Sequence, residues 1–301
     1  MPVMSWTLDA WRSAGQLSRL RGHEIFWVDT GERERPVILM IHGFPTASWD
    51  WTPIWPSLHA EHRLVAFDLL GFGFSAKPKR HAYSILEQAD IVEALVRELG
   101  LEDFHVLAHD YGDTVAQELL ARQNEGTGAG RWRSLALLNG GLFPETHRPR
   151  PIQRLLLSPV GPLLSRWTNR RIFERALSNV FGPNTQPTRA QLDDFWALVS
   201  GDGGLRIAHR LIRYMPERIE HRTRWVNALQ RASIPLALIN GSVDPVSGAH
   251  MVRRFRELVK REAEIVELPT IGHYPQVEDP AAVASAYTAF LSRVGSPSTA
   301  P

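Results

Sequence analysis

A chain of 301 residues, 44% hydrophobic and 22% charged, has an ordinary globular balance and room for one large α/β domain or two smaller ones. Its formal net charge of +2 is too small to indicate a nucleic-acid partner, and it holds no run of about 18 apolar residues that could span a membrane. Cysteine is absent, which excludes disulfides, thiolate metal ligands and a Cys nucleophile and fits a cytoplasmic location.

The first stretch, "MPVMSWTLDAWRSAGQLSRL", lacks the basic start and apolar core of a secretory signal. "HEIFWVD", "PVILMIHG" and "HRLVAFDLLG" are short and rich in β-branched and aromatic residues, and predict strands. In "SILEQADIVEALVRELG" the residues Ile85, Ile91, Ala94, Leu95 and Leu99 recur at helical spacing. "DFHVLAH" predicts a strand, "TVAQELLARQ" a helix and "RWRSLALLNGG" another strand. Apolar strands joined by helices predict an α/β fold with a mostly parallel sheet covered on both faces.

From about residue 144 the pattern changes. Pro, Arg and Trp become frequent, and stretches such as "PIQRLLLS", "RRIFERALSNVF" and "GLRIAHRLIRYM" read as helices with no strand between them. The α/β rhythm resumes with "IPLALING", a helix from about His250, "AEIVELPT" and a last helix near "AAVASAYTAFLSRV". The tail "GSPSTAP" is expected to fray. The expected organisation is a core of residues 1–143 and 226–301 with an all-helical cap, 144–225, inserted after the sixth strand. Arginines crowd residues 148–231, which solvated helix faces explain more simply than a phosphate-binding surface.

Four segments fall at the C-terminal ends of expected strands, where open α/β sheets build their sites. They are "HGFPTASW" from His42, "AHDYG" around Asp110, "NGSVDPV" around Asp244 and "IGHYPQVEDP" around His273. Taken alone, Asp110 reads as a helix cap and Asp244 as a turn residue before Pro245. Asp113 is free to cap the helix instead, and the other motifs arrive in order, so Asp110 is the expected nucleophile. His42 is expected to hold its loop and His109 to be structural. No histidine pair shows metal spacing, so no metal and no cofactor are expected.

"HGFP", "DLLGFGFS", "HDYG", "DPV" and "GHYPQVEDP" resemble the Asp-nucleophile branch of the α/β-hydrolase superfamily, which contains epoxide hydrolases and haloalkane dehalogenases. Within it, "HGFPTASWDW", "YSILEQADIVEAL", "NGGLFPETHRP" and "HYPQVEDP" resemble the mesoderm-specific transcript proteins, from about Trp11 to Phe290. The resemblance implies an α/β-hydrolase fold and a triad of Asp110, His273 and Asp244. In that expectation Asp110 would form a covalent ester, His273 would activate water against it, and Asp244 would orient the imidazole. The backbone N–H groups of Phe44 and Tyr111 are the expected oxyanion hole, each such donor being worth about 3 kcal/mol.

The nucleophile narrows the substrate. A carboxylate attacking an ester carbonyl gives an anhydride, whereas attack on a saturated carbon gives an alkyl ester that water can cleave. A small apolar epoxide or alkyl halide, with water, is therefore the expected substrate. Epoxide opening needs a donor to the alkoxide, and Tyr214 resembles the second cap tyrosine of epoxide hydrolases. The first has no counterpart, since residues 144–213 contain no tyrosine; by resemblance to relatives that use a His/Tyr pair, His147 in "PETHRP" is the other donor candidate. The two usual halide donors are missing, because Tyr111 and Phe44 stand in their places. "PTASWDW", however, resembles the dehalogenase form of that loop, and the cap offers Trp167 and Trp196. Trp49 and Trp196 are candidates to line an apolar pocket. Epoxide hydrolysis is the favoured expectation and haloalkane dehalogenation the alternative. A binding or signalling protein with little turnover is the reading from another class.

Overall fold

A computed structural model describes residues 6–295 of the chain; the tail expected to fray lies outside these residues beyond Gly295. Eight strands form one sheet: β1 (Gln16–Leu20), β2 (His23–Asp29), β3 (Val37–Ile41), β4 (Arg63–Phe67), β5 (Asp103–His109), β6 (Arg131–Leu138), β7 (Leu236–Gly241) and β8 (Glu264–Leu268). Their spatial order is β1-β2-β4-β3-β5-β6-β7-β8. From β4 to β8 every pair is parallel, while β1 and β2 join antiparallel at one edge.

The parallel strands are apolar without alternation because both faces are covered. Leu39, Val106 and Leu135 point into one buried cluster, and Ile38, Leu107 and Ala136 into the cluster on the opposite face. The helix Ile85–Glu98 starts at Ser84, whose hydroxyl accepts the Glu87 N–H at 3.1 Å, and buries Ile85, Ile91 and Leu95 as its spacing predicts. The strand β1 was not among the expected elements. It is a mostly exposed edge strand, closed onto β2 by the two-residue turn Arg21-Gly22 with φ of 50° and 89°.

Between β6 and β7 the described chain is helical. The helix Arg222–Arg231 runs through the domain boundary expected at 225/226 and packs on the helix Tyr111–Asn124. Trp225 Nε1 donates to Glu118 at 2.8 Å, and the Asn124 amide donates to the Ala228 carbonyl at 3.0 Å.

A second tie is titratable. Glu217, in the helix Tyr214–Glu220, accepts the Ile85 N–H at 2.8 Å. Burial pushes its pKa up to about 6 from 4.5. A raised acid pKa means the folded state binds the proton more readily, so holding the charge costs stability above pH ~6 and costs nothing below pH ~4.5. Glu217→Gln keeps the acceptor and removes the charge. It is expected to raise unfolding stability at pH 8 by about 1–2 kcal/mol and to have no effect near pH 4.5. Urea unfolding at the two pH values checks this, and an equal gain at both would assign the effect to something other than charge.

Candidate active site

β5 ends at His109 and the next helix begins at Tyr111, so Asp110 reverses the chain alone, at φ 47° and ψ −101°. A non-glycine residue is strained there by about 1–3 kcal/mol. Two glycines make the close approach possible. A Cβ on Gly112 would stand 2.3 Å from the Ile41 carbonyl oxygen, and one on Gly43 would stand 2.9 Å from the Asp110 Cβ.

Asp110 makes no side-chain cap bond to the helix it precedes. The expected substitute does not cap it either. Asp113 is buried against Gly140 without a capping bond, and burial, with the Asp110 charge beside it, pushes its carboxyl well up toward the neutral form. The expectation that Asp113 caps is thus corrected: position three of the helix faces the sheet, not solvent.

Three strand ends converge on the elbow. Asp110 Oδ2 accepts the Phe44 N–H at 3.1 Å from the loop after β3, and His273 Nε2 lies 3.9 Å from the same oxygen. His273 Nδ1 is 2.8 Å from Asp244 Oδ2, in the loop after β7. Asp244 is held in turn by the Val246 N–H at 2.7 Å and the Asn139 amide at 2.9 Å. All three candidate triad residues are buried. Burial opposes charge on Asp110, but the His273 imidazole and the Arg218 guanidinium overcome it and hold its carboxyl well below the usual range. Burial also opposes charge on His273, and the carboxylates on either side of it win, so the imidazole is held well above its ordinary pKa. The arrangement therefore favours charge on the imidazole and on the carboxylates at either side of it.

Tyr111 opens its helix, so its backbone N–H is one of the N-terminal donors with no partner inside the helix. Tyr214 is buried, its ring 5.0 Å from Tyr111 and 6.0 Å from Phe44, with the Arg218 guanidinium 4.5 Å from its centroid. Burial, reinforced by the Asp110 charge, keeps its phenol protonated. His147 Nδ1 lies 3.5 Å from Arg218 Nη1; burial, then Arg218, lowers its pKa to about 3, so it is neutral at pH 7. Its Nε2 is buried with no hydrogen-bond partner.

A cavity of about 590 Å³ reaches Asp110 and His273 between Phe44, Phe173, Leu177 and Tyr274. Tyr214 and His147 lie outside its lining, and so do the tryptophans. Trp49 packs edge-on against Trp11 at 6.3 Å, Trp196 sits 5.6 Å from Phe173, and Trp167 is 73% exposed. His42, in the loop after β3, and His109, the last residue of β5, are buried and bonded to the Leu69 N–H at 3.0 Å and the His273 carbonyl at 2.8 Å. The expectation of no metal rested on local spacing. The fold does gather His23, His81 and Glu87, whose potential ligand atoms lie within 4.8 Å of one another, and there both imidazoles face the carboxylate, at 3.8 and 2.7 Å.

Sequence reasoning missed two residues of this site. Asn139, just after β6, anchors Asp244 and accepts the Gly241 N–H at 2.7 Å. Arg218 donates to Thr114 Oγ1 at 2.7 Å and to the Asp110 carbonyl at 3.2 Å, with Nη2 3.7 Å from Asp110 Oδ1.

Residues 36–280 match the family model described as alpha/beta hydrolase fold. The chain is 42% identical over 302 residues to the mesoderm-specific transcript protein of Mus musculus, with 97% of this chain and 90% of the relative covered. It is 27% identical over 269 residues to haloalkane dehalogenase 2 of Mycobacterium bovis, covering 87% and 89%. The solved haloalkane dehalogenase DbeA-M1 loop variant of Bradyrhizobium elkanii superposes with a TM-score of 0.79 over 93% of this chain and 96% of that one, at 23% identity, a likeness of fold.

Proposed function

The chain belongs to the α/β-hydrolase family, and from that premise we propose that it is a cofactor-independent hydrolase whose Asp110 attacks saturated carbon, opening apolar epoxides to diols beneath a helical cap of residues 144–225. The observation that carries this is the aspartate at the strand–helix turn, Asp110 at φ 47°, with one oxygen on the Phe44 N–H and its neighbour His273 2.8 Å from Asp244. A serine elbow would point to esters; an aspartate does not.

An epoxide can be opened with the protons this site holds. Asp110 Oδ1 attacks carbon and the C–O bond breaks, leaving an alkoxide that needs a proton. Alkylation also removes the Asp110 charge, one of the two anions that keep His273 protonated. His273, which lines the cavity, then gives the alkoxide its proton and becomes neutral, whereas Tyr214 and His147, the donors expected from the sequence, lie outside the cavity lining. Neutral His273 next takes a proton from water, the hydroxide adds to the Asp110 carbonyl carbon, and the oxyanion forms on Oδ2 against the Phe44 N–H. The ester C–O bond breaks, the imidazolium protonates the leaving oxygen, and the diol departs.

Haloalkane dehalogenation is the second reading, supported by the dehalogenase relatives. A halide takes no proton, so this reaction releases one acid equivalent overall. Incubation with terminal epoxides and with bromoalkanes, scored for diol, halide and released acid, separates the readings. Diol without halide is expected. Halide release would overturn the epoxide assignment, and neither product would favour a binding protein.

A further inference from the structure

Ten large hydrophobic side chains are exposed among the described residues, and six of them fall within residues 155–172: Leu155, Leu157, Val160, Leu163, Trp167 and Ile172. These residues belong to or adjoin three consecutive short helices, Pro151–Leu157, Gly161–Trp167 and Arg170–Ser178. The helices bury Leu156, Ser165, Phe173 and Leu177 inward. Val160, Leu163 and Trp167 are spaced by three and four residues, which puts them on one helix face. That face is turned to solvent, with exposures of 54%, 50% and 73%.

The charge around this patch has one sign. From Thr146 to Phe173 there is no acidic residue, and residues 148–175 hold seven arginines against the single Glu174. Arg170 is paired with Glu174, but Arg148, Arg150, Arg154, Arg166, Arg171 and Arg175 make no ion pair among the described residues. Some arginines elsewhere are matched, as Arg222 and Arg254 bind Glu145 and Arg224 binds Glu118 and Glu125, so what marks this segment is unpaired arginines beside exposed apolar side chains with no acid from Thr146 to Phe173.

We infer that this face of the helical segment docks on an anionic lipid bilayer, with Trp167 and the leucines entering the headgroup boundary and the unpaired arginines holding lipid phosphates. An exposed tryptophan, an apolar helix face and flanking arginines form the pattern of interfacial attachment without a span. No helix among the described residues is long and apolar enough to cross a membrane. A second copy of the chain fits poorly, because an isologous dimer would press the same arginines against each other. A nucleic acid would leave the leucines and Trp167 in water.

Ile172 and Arg175 also line the cavity that reaches Asp110, so the docked face carries the cavity's mouth. If the hydrolase reading holds, on which this clause alone rests, the substrate enters from the bilayer.

Flotation of the full chain with phosphatidylglycerol–phosphatidylcholine vesicles, and with phosphatidylcholine alone, tests the docking without measuring turnover. Binding to the anionic vesicles only is expected, weakening with salt. Leu163→Ser/Trp167→Ser and Arg154→Gln/Arg166→Gln should each reduce it about tenfold or more. These side chains are exposed, so circular dichroism and melting of the variants should match the parent. Absence of binding, or binding indifferent to lipid charge, overturns the inference. So does a dimer, seen by light scattering, that the Trp167 variant dissociates. Vesicle binding without turnover would instead sink the hydrolase reading and leave the docking intact.

Discussion

His273→Gln is expected to stop the reaction after its first bond is made. Asp110 is ionised in the resting site and needs no base to attack, so alkylation should survive the change. Glutamine cannot take a proton from water, so the ester on Asp110 should persist. One equivalent of substrate is then consumed in a burst, turnover falls by about 10³-fold or more, and the intact protein gains the mass of the whole epoxide. A bromoalkane would add only its alkyl group, so the same spectrum also reads the leaving group. Digestion should map the adduct to Asp110, and Asp110→Asn should show neither burst nor adduct. An adduct on any other residue would sink the mechanism. Loss of the imidazolium also removes a cation that lowers the Asp110 pKa, so the burst rate should fall off at a higher pH than the parent's first step. Arg218 remains to keep the carboxylate ionised near neutrality.

How much of this was legible in the sequence depended on whether a residue's role is set by its neighbours in the chain or by packing. β2 and β5 match the expected strands to the residue, because strands covered on both faces carry an unbroken apolar run between polar ends. β1 was missed because it is an exposed edge with only Leu20 buried, which leaves no periodic signal. Asp110, Asp244 and His273 each follow a strand end within a compact motif, so local sequence marks them. Asn139 and Arg218 act across 105 and 108 residues, on Asp244 and the Asp110 backbone. "YMPERIE" reads as a solvated helix end until the fold turns Arg218 inward. Trp49 and Trp196 show the converse, since size and apolarity suggested a pocket and the structure uses both in packing.

Arg218→Met is expected to damage both the fold and the nucleophile, and the pH profile separates the two effects. The guanidinium is buried; it spans Thr114 and the Asp110 backbone and covers the Tyr214 ring. Methionine keeps the apolar stem and removes every donor, which should lower stability by about 3 kcal/mol. A loosened elbow should cut kcat on the order of 10²-fold. Asp110 must be ionised to attack, and Arg218 is one of the cations that hold its pKa down. Without it the folded-state pKa rises, so the acidic limb of kcat/KM should move to higher pH, while the limb set by His273 moves less. The sign for stability agrees. A carboxylate with a depressed folded pKa stabilises the fold above its unfolded pKa of about 3.9, and that contribution is lost as pH falls through the folded value. The loss caused by Arg218→Met should therefore shrink in acid. Arg218→Lys restores the charge without the planar fork, so it should return most of the acidic limb and little of kcat. If Arg218 served only to fill space, methionine would leave the limb where it was and lysine would be the worse replacement. That outcome would remove Arg218 from the account of how Asp110 stays ionised.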